Sequence, residues 1–256
     1  MSVLTVRSLS KSYGGVRALD DVSFSVAAGE LLALIGPNGA GKSTCFNIVN
    51  GQIRPDAGHV WIGGREVTGL APRRIARLGV GRTFQIAAVF GSMTAVENVQ
   101  MAMIAARGQS FGLWRPAAAH HRQAALELLG RVGMAELAER PAATLAYGDV
   151  KRLELAVALA GEPVLLLMDE PTAGMGAGER GALIALVREL VTERRLAALF
   201  TEHSMDVVFA HADRVIVLAR GKLIADGSAD AVRADPQVRA VYLGSGAAMA
   251  EEDGHP

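Results

Sequence analysis

The chain breaks its apolar runs at regular intervals with glycine-bearing polar turns. Residues 3–7 and 22–26 alternate or cluster β-branched and apolar side chains and read as strands. Between them, Lys11-Ser12-Tyr13-Gly14-Gly15 reads as a turn with one exposed aromatic. A second turn, residues 27–30, leads into Leu31-Leu32-Ala33-Leu34-Ile35, a short fully apolar strand. After a glycine-rich interruption, an apolar segment runs without a breaker to Gly51 and reads as a helix. Residues 51–58 form another turn, and His59-Val60-Trp61-Ile62 alternates as a strand ending at Gly63-Gly64.

The pattern then changes period. Residues 94–107 and 117–139 are rich in alanine and leucine at helical spacing, with Thr94 placed as an N-cap. Gly108 to Pro116 is a loop holding Phe111 and Trp114, and a helical subdomain is expected over about 93–160. From residue 164 short buried strands (164–168, 197–200, 215–218) alternate with helices (178–194, 204–211). That rhythm predicts an α/β fold with a mainly parallel core sheet covered on both faces. The N-terminal hundred residues add a β-rich layer. From Gly244 the chain is small, acidic and unpatterned, so 1–243 reads as one domain and 244–256 as a frayed tail.

Composition narrows the classes. Lysine plus arginine and aspartate plus glutamate are both 26, which argues against a nucleic-acid partner, since such binders carry a basic excess. The single cysteine, Cys45, excludes an intrachain disulfide, fits a reducing compartment and reads as core. No apolar run approaches the ~20 residues that span a bilayer, and the start carries no secretory pattern. The expectation is a soluble cytosolic chain whose membrane attachment, if any, comes through a partner.

The interruption after Leu31–Ile35 is Gly36-Pro37-Asn38-Gly39-Ala40-Gly41-Lys42-Ser43-Thr44. It fills every position of G-x-x-x-x-G-K-[ST] between a strand and a helix, the context a phosphate-binding loop requires. Its glycines let successive N–H groups face phosphate oxygens, and the helix dipole adds to them. Lys42 reaches the β- and γ-phosphates, and the Ser43 hydroxyl holds Mg²⁺. Leu165-Leu166-Leu167-Met168-Asp169-Glu170 is an apolar strand ending in two carboxylates, at the strand end where α/β sheets bind ligands. Asp169 is placed for Mg²⁺, and Glu170 to polarise the attacking water as general base. His203, just after the strand at 197–200, is placed to bond the γ-phosphate. Gln85 is a candidate Mg²⁺ and water ligand, or an exposed loop residue. Tyr13 either stacks on adenine or is an ordinary turn tyrosine. Leu145-Ala146-Tyr147-Gly148-Asp149 opens a second helix with a phosphate-friendly N-terminus. The chain's own loop is already complete, so this second site points to a nucleotide held across a dimer.

Together these residues resemble the ATP-binding cassette family, the nucleotide-binding subunits of ABC transporters, from about Leu4 to Leu243. By the resemblance, Tyr13 is the adenine-stacking aromatic, Gly36–Thr44 the Walker A loop, and Gln85 the Q-loop glutamine. Leu145–Asp149, with Ala146, Tyr147 and Gly148, is the signature; Asp169 and Glu170 are Walker B and the catalytic glutamate; His203 is the switch histidine. The resemblance implies ATP and Mg²⁺ as cofactors, ATPase activity, and a head-to-tail dimer in which each signature faces the other chain's Walker A. Arg82-Thr83-Phe84-Gln85, residues 105–122, Ala173-Gly174-Met175, Thr201–Met205 and the stretch from Val232 to Gly244 resemble the larger ATP-binding subunit of branched-chain amino-acid importers. That implies a second cassette (homo- or heterodimer), two transmembrane permease subunits with a contact near Ile86–Met93, an extracytoplasmic substrate-binding protein, and a peripheral place on the cytoplasmic face of the inner membrane. Relatives that import urea, amides or other small compounds leave the cargo open. Ala146, Asp149, Val157 and Gly176 depart from the common pattern. Asp149 brings a like charge toward a phosphate site unless Lys151 or Arg152 offsets it, which leaves a hydrolysis-poor regulatory subunit as an alternative.

Overall fold

A computed structural model describes residues 2–83, 89–108 and 121–244. Two sheets share one core. Strands β1 (Ser2–Tyr13), β2 (Val16–Ala27), β4 (Ala57–Ile62) and β5 (Arg65–Glu66) form an antiparallel sheet in the order β2-β1-β4-β5. The second sheet has the order β10-β9-β3-β8-β7-β6. Its members are β3 (Leu31–Ile35), β6 (Val80–Thr83), β7 (Leu165–Asp169), β8 (Ala197–Thr201), β9 (Arg214–Ala219) and β10 (Lys222–Gly227). All neighbours pair in parallel except β10, which closes the edge antiparallel to β9.

The period-2 geometry of β3 explains why it is apolar throughout. Leu31, Ala33 and Ile35 join one core, shared with the helices; Leu32 and Leu34 join another, between the sheets. The helix after the glycine loop, α1 (Lys42–Val49), buries Cys45, Phe46, Ile48 and Val49 in the second core. Helices α3 (Ala95–Ala106), α4 (Arg122–Arg131) and α5 (Tyr147–Leu159) pack on one another, and α5 packs on β6. Thr94 caps α3 as its sequence predicts, and Glu97 answers it in a reciprocal capping box. A short helix α2 (Pro72–Ala76) precedes β6; α6 (Ala177–Arg194), α7 (Met205–His211), α8 (Ala229–Ala234) and α9 (Pro236–Gly244) complete the fold.

The structure shifts several expected boundaries. The first two strands are longer than 3–7 and 22–26, and the turn between them contracts to Gly14-Gly15, with β1 continuing through Tyr13. Repeated bulges in this hairpin break the alternation from which strand ends are read. The helix expected over 117–139 ends at Arg131, where Gly133 takes a left-handed φ of 73° and stops it. Residues 117–120 lie outside the described residues, as do Phe111, Trp114 and the tail from 245.

Candidate functional site

The glycine loop leaves the carboxyl end of β3 and enters α1. Two of its glycines are required by space as well as by angle. Gly36 has φ +150°, and a Cβ there meets the Leu218 carbonyl oxygen at 2.1 Å. Gly41 has φ +106°, and a Cβ there meets the Ala18 carbonyl oxygen at 2.3 Å. The loop is therefore wedged between β9 and the start of β2, which fixes its curl. Lys42 is buried, and its Nζ donates to the carbonyls of Gly36 (2.6 Å) and Pro37 (3.1 Å). Burial pushes its pKa down, and the charges of Glu170 and Asp169 oppose that shift. Ser43 is exposed at the helix start.

Asp169 and Glu170 end β7, beside β8 and its successor His203. Two residues given no site role from the sequence, Thr201 and Glu202, assemble this edge. The Thr201 hydroxyl donates to Asp169 Oδ1 (2.7 Å) and accepts from the Glu170 amide (3.1 Å). Glu202 is 4% exposed. Its carboxylate accepts from the Thr172 amide (3.1 Å), the Thr172 hydroxyl, the His203 amide (2.9 Å) and the Ser204 amide (3.4 Å). It thus ties the turn after Glu170 to the loop carrying His203. His203 Nε2 then lies 2.8 Å from Glu170 Oε1. Glu170 itself sits at φ +49°, a left-handed conformation that a glutamate adopts only where its surroundings impose it. Thr201 and Glu202 fall in a stretch that carries the subgroup resemblance, but nothing in the sequence gives them a role at the site; register across β7 and β8 brings them in.

The donor set suits Mg²⁺. This ion takes one or two protein oxygens and fills its octahedron with water and phosphate. A hydroxyl at Ser43 and a carboxylate oriented at Asp169 match that need, and among the described residues no cluster of three or more His, Cys, Asp or Glu offers a metal cage. Arg82, on β6, stacks over Phe46 (5.6 Å) and reaches Asn47 Oδ1 (3.4 Å), bracing α1 against the β6–β7 edge. Gln85 lies outside the described residues.

Tyr13 is 45% exposed at the end of β1, with Lys11 Nζ 5.5 Å from its ring, and is free to present a face to a base. The second helix start meets this edge only through the turn after Glu170, where the Tyr147 hydroxyl donates to the Ala173 carbonyl (2.8 Å). Ala146 and Tyr147 are exposed there, and Gly148 is half-buried. Neither of the two cations that could offset Asp149 forms an ion pair with it. Lys151 turns inward to Glu154 (3.1 Å), both 5% exposed, and the Arg152 guanidinium lies near Gly133. Helical phase explains this: residues 151 and 154 share the buried face, while 149 does not.

A glycine loop on a central strand, with paired carboxylates at the same end of the parallel strand two places along the sheet, defines an α/β nucleotide-binding protein. The chain belongs to the ATP-binding cassette family: the family model described as "ABC transporter" matches residues 19–173. A second model, described as "Branched-chain amino acid ATP-binding cassette transporter", matches residues 222–248. Among curated relatives, the chain is 38% identical to the high-affinity branched-chain amino acid transport ATP-binding protein BraF of Pseudomonas aeruginosa, over 94% of this chain and 98% of that one. It is 36% identical to LivG of Escherichia coli, a protein of the same description, with the same coverage. Among solved structures it is similar to the ADP conformation of an ATP-binding cassette of an ABC transporter, with TM-score 0.85, 31% identity, and 95% and 99% of the two chains covered. It is also similar to the dimeric structure of a bacterial ABC transporter cassette, with TM-score 0.75, 25% identity, and 88% and 98% covered.

Proposed function

We propose that this chain binds and hydrolyses ATP as the motor subunit of an importer for branched-chain amino acids. The observation that carries the reading is the Glu170–His203 pair, held at 2.8 Å on the same sheet edge as the Lys42 loop. In this reading the loop amides and Lys42 bind the β- and γ-phosphates of the substrate. Ser43, Asp169 and Gln85 hold Mg²⁺, which neutralises charge on the phosphates. Glu170 accepts a proton from the attacking water. His203 orients Glu170 and bonds the terminal phosphate. Tyr13 stacks on the adenine.

The branched-chain cargo comes from BraF and LivG and from the match over residues 222–248. A dimer is supported by the dimeric cassette that this fold resembles. Two cassettes then enclose two ATP, the Ala146–Gly148 stretch of one chain meeting the phosphate loop of the other. No helix among the described residues is long and apolar enough to cross a membrane, so coupling runs through two permease subunits on the cytoplasmic face of the inner membrane. Phe90, 58% exposed, and half-buried Met93 are its contacts on this chain.

Phosphate release by the purified chain tests the reading, with Glu170→Gln as control. Hydrolysis that falls at least 100-fold while ATP still binds supports it; equal turnover in the variant overturns the role of Glu170. A second reading, a hydrolysis-poor partner subunit, is favoured by Asp149, which has no ion pair among the described residues, and by the Glu179 carboxylate beside Gly148. Asp149→Gln then raises turnover at the partner's nucleotide, and unchanged turnover counts against it.

A further inference from the structure

We propose that Tyr147 is a positioning residue that ties the start of α5 to the turn carrying Glu170. The proposal deepens the ATPase reading and rests on it for the role of Glu170. The Tyr147 hydroxyl donates to the Ala173 carbonyl at 2.8 Å. The Ala173 amide in turn donates to the Glu170 carbonyl at 3.1 Å, closing the turn that begins on Glu170 itself. The tyrosine ring lies against the next residue. Gly174 has φ +82°, and a Cβ there comes within 3.1–3.2 Å of two ring atoms and the hydroxyl oxygen, so a side chain at 174 is strained by its backbone and crowds the ring.

Two further contacts make the junction stiff. Lys151 Nζ lies 5.6 Å from the Tyr147 ring centroid and is anchored by its buried pair with Glu154. Glu179, on α6, accepts from the Gly176 amide (3.2 Å), and its carboxylate oxygen lies 3.2 Å from the position of a Cβ on Gly148. Residues 147–148 and 173–176 are therefore joined through the Tyr147 hydrogen bond, with the Glu179 carboxylate packed beside Gly148. On the other side Glu202 grips Thr172 of the same turn. A shift at the start of α5, the surface placed against the partner's nucleotide, reaches Glu170 through one side-chain hydrogen bond and a three-residue turn. Tyr147 is 52% exposed, so water can replace its bond and loss of the hydroxyl is tolerated by the fold.

Tyr147→Phe in the full chain tests the proposal, because it keeps the ring and removes only the donor. Hydrogen exchange is measured without nucleotide, and ATPase kinetics in parallel. The expected result is about fivefold faster exchange confined to amides 173–175, the effect of losing one ordinary hydrogen bond. The kcat falls several-fold and the KM for ATP stays unchanged. Unchanged exchange at 173–175, or faster exchange across β3 and β8 as well, overturns the tie. Faster local exchange with unchanged kcat overturns the positioning of Glu170. A raised KM with unchanged kcat and exchange marks Tyr147 as a nucleotide contact only and also overturns it. Failure of the ATPase reading shows separately, as absence of phosphate release by the unaltered chain, and the exchange result then decides the tie alone.

Discussion

Glu202→Gln changes the shape of one buried side chain hardly at all and its hydrogen bonding completely. The two oxygens divide their work: Oε1 accepts from the amide and hydroxyl of Thr172, and Oε2 from the amides of His203 and Ser204. Glutamine offers one oxygen and one NH₂ group, so whichever way the amide turns, NH₂ faces a backbone N–H. Against Thr172 the hydroxyl can rotate to accept, but the amide cannot. Against His203 and Ser204 both partners are lost. At least one charge-assisted bond disappears inside a group 4% exposed. Such bonds are worth about 1.5–3 kcal/mol each, and a buried unpaired N–H costs ~1–3 kcal/mol. The expected destabilisation is about 2–4 kcal/mol, or ~5–12 °C in a domain of this size. Circular dichroism melts of the two proteins measure it. Function falls further than stability, because the His203 loop and the turn after Glu170 lose their common anchor; at 20 °C, where both proteins are folded, turnover is expected to drop about tenfold or more. An unchanged melting temperature refutes the reasoning at its base. An unchanged turnover beside a lowered melt confines Glu202 to a structural role.

Further outcomes follow from the same geometry. Gly41→Ala places a Cβ 2.3 Å from the Ala18 carbonyl at φ +106°, so a loss of about 2–4 kcal/mol and of nucleotide binding is expected; denaturant unfolding and a fluorescent-nucleotide titration check it, and wild-type binding refutes the wedge. Burial pushes the Cys45 thiol from 9.0 up to about 12. The stabilisation from keeping it neutral is full below pH 9 and is lost as pH rises toward 12, about 1 kcal/mol of it between pH 9 and 10. Cys45→Ala should flatten that part of the stability curve, and identical slopes count against the assignment. Arg82→Lys keeps the charge but gives up the guanidinium placed over Phe46 and the reach to Asn47; a loss of about 1–2 kcal/mol in urea unfolding is expected, and none speaks against the brace.

Much of the site was legible because its chemistry is concentrated in short contiguous stretches. A phosphate loop needs glycines, a lysine and a hydroxyl within nine residues, since consecutive amides must turn toward one anion. The strand ending in Asp169-Glu170 was legible for a similar reason: a strand buried on both faces is apolar until it reaches the edge where it acts. Apart from the family resemblance, His203 was visible only as a position after a strand. Its contact with Glu170 depends on the parallel register of β7 and β8, in which Asp169 pairs with Thr201.

The amino-acid order therefore determined the loop, the helix starts, the buried strands and the family resemblance, all of which arise from local spacing and periodicity. It did not determine which strands stand side by side, and that arrangement made Thr201 the clasp of Asp169 and Glu202 the anchor of two turns 30 residues apart. It also drew the hairpin turn too wide, because bulges hide in an alternation they interrupt. Lys151 shows the division most clearly. In sequence it neighbours Asp149 and, with Arg152, is a candidate to offset that charge; in the fold helical phase turns it inward to Glu154 and the Tyr147 ring. Proximity along the chain is a property of the sequence, whereas the partner of a charge is chosen by the face on which packing leaves it.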